Sequence, residues 1–544
     1  MKIAGIWSGH DCSFCILENG IPVVHAELER YIRQKEPQGD AAKFMLNTYG
    51  KDKCDNITHV ATCFPKNKML QYKTSHKQLT DILAKNNGKL HFIGHHRSHA
   101  ANAFFSSNFE KALIVTLDGG GVEEPGRGDT ACTYWTGDNN KIKHVTTYPL
   151  HNVCIGGVWT RVTRYVFKLQ SGWPLGHQAG SVMAMAALGD STKYKNNFLQ
   201  MLTTDLQAAS QKPCNQPKGA YTGNDPVHPY LEPWAQLAAR SEQDRFDIAA
   251  GLQAATEEYI KKLFEIAFQH VGKYEHVCLS GGVALNCVAT GKIKSWFPHI
   301  KDIYVPPTPG DEGLSIGAAQ YVWHQLLDNP RVVWKDNAKS YLGIPHTEAQ
   351  IKDALDAQKN VLDITSATVD DVVELLDKQK IVAVFSKGSE SGRRALGNRS
   401  ILADPRSKDM KQTINDKVKH RQWYRPFAPS ILRSEVANWF TTDKNSPYMS
   451  FVLKFKDTMK DKVPAVLHFD NTARLQTVTE NDNKWYFDFL TKWHRKSGVP
   501  IILNTSFNDR EPICEHPKHA INCYLKTNID YLFFVDYNLL VTKK

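Results

Sequence analysis

The run Ile93-Gly94-His95-His96-Arg97-Ser98-His99-Ala100 is followed, nineteen residues after His99, by Asp118 in Ala112-Leu-Ile-Val-Thr-Leu-Asp118-Gly-Gly-Gly121. His95 and His99 stand four apart, so a helix through them presents both imidazoles on one face. The apolar run ending in Asp118 predicts a buried strand that delivers a carboxylate to the lip of a glycine turn. Two imidazoles and a carboxylate converging in this way suit zinc or iron. Taken alone, His-x-x-x-His is more often a pair of surface histidines on an ordinary helix. The companion motifs reverse that.

Upstream, Lys2-Ile-Ala-Gly-Ile-Trp7, the polar turn Ser8-Gly9-His10-Asp11 and Cys12-Ser-Phe-Cys-Ile-Leu17 read as a hairpin, with Glu18-Asn19-Gly20 turning into Ile21–Ala26. A strand–turn–strand start with glycine at the turn can wrap backbone amides around a phosphate. Residues 41–90 predict two helices around the strand Ile57–Cys63, with Lys66, Lys68, Lys73, His76 and Lys77 crowding the loop and helix that follow. Downstream, 213–233 reads as a Pro/Gly/Asn-rich loop and Phe246–Val271 as a long amphipathic helix. Strand His276–Leu279 runs into Ser280-Gly281-Gly282-Val-Ala-Leu-Asn286, a strand, paired glycines and a helix start that favour a nucleotide phosphate or ribose. Pro309-Gly310-Asp311-Glu312-Gly313 adds a second acidic glycine loop.

A chain of 544 residues predicts at least two domains. At 42% hydrophobic and 23% charged residues it has the composition of a soluble globular protein, and no uncharged apolar stretch is long enough for a bilayer. The start is already a strand pattern rather than a signal peptide, so a cytoplasmic address is the expectation. Eleven dispersed cysteines read as reduced thiols, and Cys12-x-x-Cys15 as structural. The net charge of +11 and pI near 8.9 suggest a polyanionic partner, nucleic acid first and phosphorylated substrates second.

A change of character at 340–365 sets the expected boundary, giving domains 1–350 and 351–544. The second opens with a helix (370–379) and strand Ile381–Phe385. Then come Ser386-Lys387-Gly388-Ser-Glu390-Ser-Gly392-Arg393-Arg394-Ala-Leu-Gly397-Asn398-Arg399-Ser400, Lys417-x-x-His420-Arg421-Gln-Trp-Tyr-Arg425-Pro426 and Asn504-Thr-Ser506-Phe-Asn508. Arginines set among glycine turns, alternating with Leu, Trp, Phe and Pro, suit gripping two anionic ligands at once.

Together the motifs resemble the O-carbamoyltransferases of the nodulation, cephamycin and tobramycin type. Gly9-His10-Asp11, Glu29-Arg30, His95–Ala100, Ser280–Asn286 and Gly310–Gly313 resemble the first domain of that family. Arg394–Arg406, Arg425-Pro-Phe-Ala-Pro429, Asp470-Asn-Thr-Ala-Arg474-Leu-Gln476-Thr and Asn504–Asn508 resemble the second. The resemblance implies an α/β protein: a duplicated, actin-like (ASKHA) domain similar to the threonylcarbamoyl-transferase subunit of tRNA modification, followed by an α/β (α+β) domain similar to threonylcarbamoyl-adenylate synthase (YrdC-like). It implies that the second domain makes carbamoyl-adenylate from carbamoyl phosphate and ATP with Mg. The first then passes the carbamoyl group to an acceptor hydroxyl and releases AMP.

Carried over by position, His95, His99, Asp118 and Asp311 match the metal ligands, with iron or another divalent ion implied. Gly281, Gly282 and Asn286 would hold the nucleotide. In the second domain Lys387 and Arg394 match catalytic positions, while Arg399, Ser400, Arg421, Arg425, Asn504, Ser506 and Asn508 would grip phosphate and carbamoyl groups. From its own chemistry, His10 oriented by Asp11 is the candidate base for the acceptor hydroxyl.

Two positions depart from the family pattern: Gly388 where an arginine is usual, and Ala179-Gly180-Ser181 where Glu-Gly-Lys is. The basic balance and the 66–77 lysines favour a hydroxyl on nucleic acid, such as a hydroxymethylated pyrimidine in DNA. The alternative acceptor is a small natural-product or sugar hydroxyl. A threonylcarbamoyl-type tRNA modifier and a non-catalytic nucleotide-binding protein are the rival functions. Monomer and homodimer are both compatible with the sequence, and no membrane partner is expected.

Overall fold

A computed structural model describes residues 1–63, 72–123, 129–149, 153–171, 176–205, 231–333 and 340–544. The chain forms two compact units, Met1–Lys335 and Asp336–Lys544. The division therefore falls about fifteen residues before the expected 350/351. The reason is backbone pairing: Ser391 N donates to Ser340 O (2.5 Å), Gly343 N to Ser389 O (3.0 Å), and the Tyr341 hydroxyl to Leu396 O (2.7 Å). Residues 340–345 are thus built into the second unit before its first helix, Glu348–Asp356, begins.

The first unit is one topology used twice. Strands β1 (Lys2–Trp7), β2 (Ser13–Glu18), β3 (Ile21–Glu27), β4 (Ile57–Thr62) and β5 (Lys89–Phe92) form a sheet in the order β3-β2-β1-β4-β5. β1–β2 and β2–β3 are antiparallel, and β1–β4 and β4–β5 parallel. Strands β6 (Lys111–Val122), β7 (Asp129–Asp138), β8 (Lys141–Pro149), β9 (His276–Ser280) and β10 (Asp302–Tyr304) repeat that order and those directions as β8-β7-β6-β9-β10. This is the duplicated, actin-like α/β architecture. The β2–β3 turn is built by Asn19 (φ 49°) and Gly20 (φ 85°), the paired positive φ that a tight hairpin of this hand requires.

The long helix of the first unit runs Glu242–Val271, with Ser241 Oγ accepting from Asp244 N at its start and Gly272 at its end. The expected loop 213–233 lies, but for its last three residues, outside the described residues, as do Lys66 and Lys68. The second unit is a nine-stranded mixed sheet wrapped around its own apolar core, which includes Phe385, Leu402, Tyr486 and Trp493. Its site-bearing strands are β11 (Val382–Phe385), β12 (Arg399–Ala403), β13 (Thr472–Val478) and β14 (Ile501–Ser506). The ten cysteines among the described residues are buried, Cys12 and Cys15 included. No helix among the described residues is long and apolar enough to cross a membrane.

Candidate functional site

In the first unit the helix α1 (His95–Phe105) begins at the first histidine itself. Its N-terminus is tied down by Glu123, which accepts from Arg97 N at 2.9 Å, a carboxylate where the helix dipole favours one. β6 runs on through Asp118. Gly121 has no room for a side chain, because a Cβ there would lie 2.2 Å from the His95 ring. His95 Nε2 lies 3.0 Å from Asp118 Oδ2 and 3.5 Å from Asp311 Oδ1. His99 Nε2 lies 3.6 Å and 3.5 Å from the same two oxygens.

One donor atom from each of the four residues falls within 4.8 Å of the other three, and all four residues are buried. His99 Nε2 has no hydrogen-bond partner, an orphaned buried nitrogen facing two carboxylates. Two imidazoles and two carboxylates form a donor set that fits a divalent transition metal, iron or zinc. Asp118 is held well below the usual carboxylate range: burial opposes its charge, and the hydrogen bond from His95 with the attraction of both imidazoles outweighs burial.

The middle histidine serves the fold. His96 contacts Thr116 Oγ1 (2.6 Å) and Thr130 O (2.7 Å), and burial together with His95 pushes its pKa down to about 3.

His10 does join the centre: Nδ1 lies 3.0 Å from Asp11 Oδ2 and Nε2 3.3 Å from Asp311 Oδ2. Its side chain is 60% exposed, and against the loss of hydration at the centre Asp311 and Asp11 hold its pKa up at about 10, so the ring keeps its proton at neutral pH. A cation shared by Asp311 removes the main attraction holding that proton.

The glycine loop packs against the histidine–aspartate centre. Gly282 N donates to Asp118 Oδ1 at 2.9 Å, and Gly281 adopts φ 92° with its missing Cβ 2.1 Å from Leu117 O. Asn286 caps the helix Cys287–Trp296, accepting from Ala289 N (3.1 Å), and exchanges hydrogen bonds with Gln253 (2.9 and 3.2 Å). These contacts orient a carboxylate and start a helix. Ala179-Gly180-Ser181 opens a short helix, Ala179–Met185, where a Cβ at Gly180 would meet open space.

The second unit holds a cluster of the opposite sign. Lys411, Lys419, Arg421, Arg425 and Arg474 repel one another through a partly buried region. Burial, with Arg425, pushes Arg421 well below the usual arginine range; burial, with Arg474, pushes Arg425 to about 10. Lys419 is pushed well below the usual lysine range by burial and by Arg421 and Arg425. Its amine donates to Asn508 Oδ1 (2.7 Å), Asn508 O (2.8 Å) and Ser506 O (2.5 Å). Mutual repulsion of this kind is relieved by an anion, so Arg421, Arg425, Ser506 and Asn508 are brought together where one would bind. Lys419 and Arg474 complete the cluster and were not singled out from the sequence. The signal for Lys419 was present in Lys419-x-Arg421, two cations spaced to reach one ligand.

Several expected grips are structural instead. Arg399 is fully buried and donates to Ser386 O (2.5 Å), Asn398 O (2.9 Å) and Lys387 O (3.0 Å), with its guanidinium 3.5 Å from the Phe385 ring centroid. Ser400 Oγ accepts from Gly397 N (3.0 Å). Asn504 Nδ2 is shared among Ala395 O, Ser430 Oγ and Gln476 Oε1 (3.1, 3.0 and 2.9 Å). Glu390, wholly buried, gathers the backbone amides of Leu396, Asn398 and Arg399 on one oxygen.

Lys387 is exposed, its N–H donating to Asp536 Oδ2 (2.6 Å), and Arg394 is partly buried in the loop ahead of β12. Gly388 has a steric cause, since a Cβ there would lie 2.0 Å from Gly343 O. The 340–345 segment occupies the space an arginine at 388 would need.

A two-unit α/β protein with an acidic histidine centre in one unit and a cation cluster in the other is the class these observations define. Known proteins agree along the whole chain. Residues 8–320 match the carbamoyltransferase N-terminal family model and 373–543 the carbamoyltransferase C-terminal model. An uncharacterised protein of Synechocystis is 34% identical over 86% of this chain and 78% of its own length. Nodulation protein NolNO of Sinorhizobium fredii is 31% identical over 82% of this chain, which spans 64% of that protein. A solved structure, the 2-hydroxyisocaproyl-CoA dehydratase activator of Clostridium difficile, matches 59% of this chain and 94% of its own at 16% identity. Its TM-score of 0.35 is too low to add to the strand topology. The chain belongs to the carbamoyltransferase family and is a transferase enzyme.

Proposed function

We propose that this protein is an ATP-dependent O-carbamoyltransferase that works in two chemically distinct stages. The observation that carries the reading is the different chemistry of its two centres: the cations Lys419, Arg421, Arg425 and Arg474 in the second unit, the ligand set Asp118, Asp311, His95 and His99 in the first. The cation cluster suits carbamoyl phosphate and the ATP phosphates, which carry several negative charges each. For atoms to balance, carbamoyl phosphate first loses its phosphate to water. An oxygen of the resulting carbamate then attacks the α-phosphorus of ATP, and pyrophosphate leaves. Lys419, held by Ser506 and Asn508, and the arginines neutralise charge on the transferring and leaving groups.

In the first unit the acceptor hydroxyl oxygen attacks the carbamoyl carbon, the bond to the adenylate oxygen breaks, and AMP leaves with its electron pair. His95, His99, Asp118 and Asp311 would hold a divalent metal, iron in the reading the family resemblance supports, which when bound supplies Lewis acidity and charge neutralisation. Gly282 N and His95 orient Asp118. Once a metal on Asp311 eased the hold on its proton, His10, beside Asp11 and Asp311, would serve as the base for the hydroxyl proton.

Carbamoyl-phosphate-dependent exchange of pyrophosphate into ATP tests the first stage, and a mass gain of one carbamoyl on a hydroxylated acceptor tests the second. Exchange supported by bicarbonate and threonine instead would make the protein a threonylcarbamoyl-type enzyme. For the acceptor, the net charge of +11 favours a hydroxyl carried on nucleic acid, such as a hydroxymethylated pyrimidine in DNA. Binding to such DNA should weaken steeply with salt. No binding at low salt leaves a small-molecule or sugar hydroxyl as the acceptor.

A further inference from the structure

Three groups adjoining the second unit's cluster take no part in that chemistry: Glu511, Cys514 and Cys523. One ligand atom from each, a carboxylate oxygen and two Sγ atoms, lies within 4.8 Å of the other two. Cys514 and Cys523 are buried, and Glu511 is half-buried. Cys523 stands on the helix Pro517–Lys526; Glu511 and Cys514 come from the loop after β14, where Cys514 N donates to Phe507 O at 3.0 Å. We propose that these three side chains form a thiolate site for a divalent cation of the zinc class, separate in ligands and chemistry from the histidine–aspartate centre.

Tetrahedral zinc holds sulfur at about 2.3 Å and carboxylate oxygen at about 2.0–2.2 Å, so ligand atoms on one ion stand roughly 3.5–4 Å apart. The trio, within 4.8 Å, needs only a shift of about an ångström to close on one ion. Binding releases the two thiol protons to solvent and leaves a fourth position for water. Two thiolates, a carboxylate and a divalent ion sum to one negative charge. That charge is favoured here, because the Lys419 charge acts through space on Cys523 and is itself crowded by Arg421 and Arg425. The site also bears on the anion cluster: Asn508, which accepts from Lys419, donates through Nδ2 to Glu511 O at 2.7 Å. An ion on Glu511, Cys514 and Cys523 would therefore pin the loop that presents Asn508. Sequence spacing hides this arrangement, since Cys514 and Cys523 stand nine apart and match no zinc-finger pattern.

Cobalt titration of the full-length protein, kept reduced with a phosphine, is the test, because only thiolate ligands give a near-ultraviolet sulfur-to-cobalt charge-transfer band. The expected result is a saturable band that zinc bleaches, that persists in His95→Ala, and that is lost in Cys514→Ser and Cys523→Ser. Glu511→Gln, a half-buried change that spares the thiols, should weaken cobalt binding about tenfold. No band in the wild-type protein, a band that survives both serine substitutions, failure of zinc to bleach it, or unaltered affinity in Glu511→Gln overturns the proposal. The readout is independent of whether the second unit makes carbamoyl-adenylate, so the two ideas fail separately.

Discussion

The two units solve opposite electrostatic problems. In the first, Asp118 and Asp311 share one small region with His10, His95 and His99, and the carboxylates hold protons on the imidazoles. In the second, cations crowd one another and burial presses their charge out. A centre whose carboxylates hold protons on imidazoles can exchange those protons for a metal ion, and a centre of crowded cations attracts phosphates. The contrast teaches that the packing within each unit sets the chemical character of its own centre.

The largest expected effects come from breaking either centre alone. Asp311→Asn should lower transfer to the acceptor by about a hundredfold or more while leaving carbamoyl-phosphate-dependent pyrophosphate exchange almost unchanged. An equal fall in both rates would break the comparison. Lys419→Ala should do the reverse, costing exchange about a hundredfold with bound metal in the first unit unaltered by elemental analysis. Lys419→Arg is not expected to rescue it, because the amine sits buried among Ser506 and Asn508 acceptors that a longer, planar group does not fit.

A smaller effect separates scaffold from grip in the second unit. Arg399→Leu leaves the carbonyls of Ser386, Lys387 and Asn398 without their donor and should cost about 3–5 kcal/mol in denaturant unfolding of that unit. A variant that keeps full stability but loses carbamoyl phosphate affinity would return Arg399 to the binding site.

The smallest effect is one the units share. Burial, then Arg331, lowers His324 in the first unit to about 4; burial, then Arg399, lowers His346 in the second to about 4. Each is neutral when folded and takes up a proton when unfolded, so its contribution is complete above pH about 6.5 and is lost as pH falls to 4. The slope is at most about 1.4 kcal/mol per pH unit for each, and smaller for the less buried His346. Urea midpoints measured from pH 7 to 4 should fall, and His324→Phe, which keeps the stack on Phe105, should flatten part of that slope.

Local pattern carried a large share of the site. Two histidines four apart, an apolar strand closing on Asp118 and the Gly310–Gly313 loop were each readable from periodicity and turn chemistry. The duplicated sheet order was reachable only through family resemblance, since no residue repeat marks it. The second unit was read less well. Its arginines are legible as cations, yet Arg399 faces carbonyls while Arg425 faces other cations, and the two look alike in sequence. Asn286 caps a helix and Asn504 bridges strands, contacts that local pattern did not predict.

The sequence by itself determined what is set by neighbours a few residues away: helix faces, strand burial, glycine turns and the stock of ligand types. The tertiary structure decided which of those side chains meet. Asp311 reaches His95 from more than two hundred residues away, and Gly343 O fills the space that excludes a side chain at Gly388. Whether a buried polar group becomes a ligand grip or a structural tie depends on the partners that long-range packing brings to it, because a buried donor must be satisfied by whatever lies within about 3 Å.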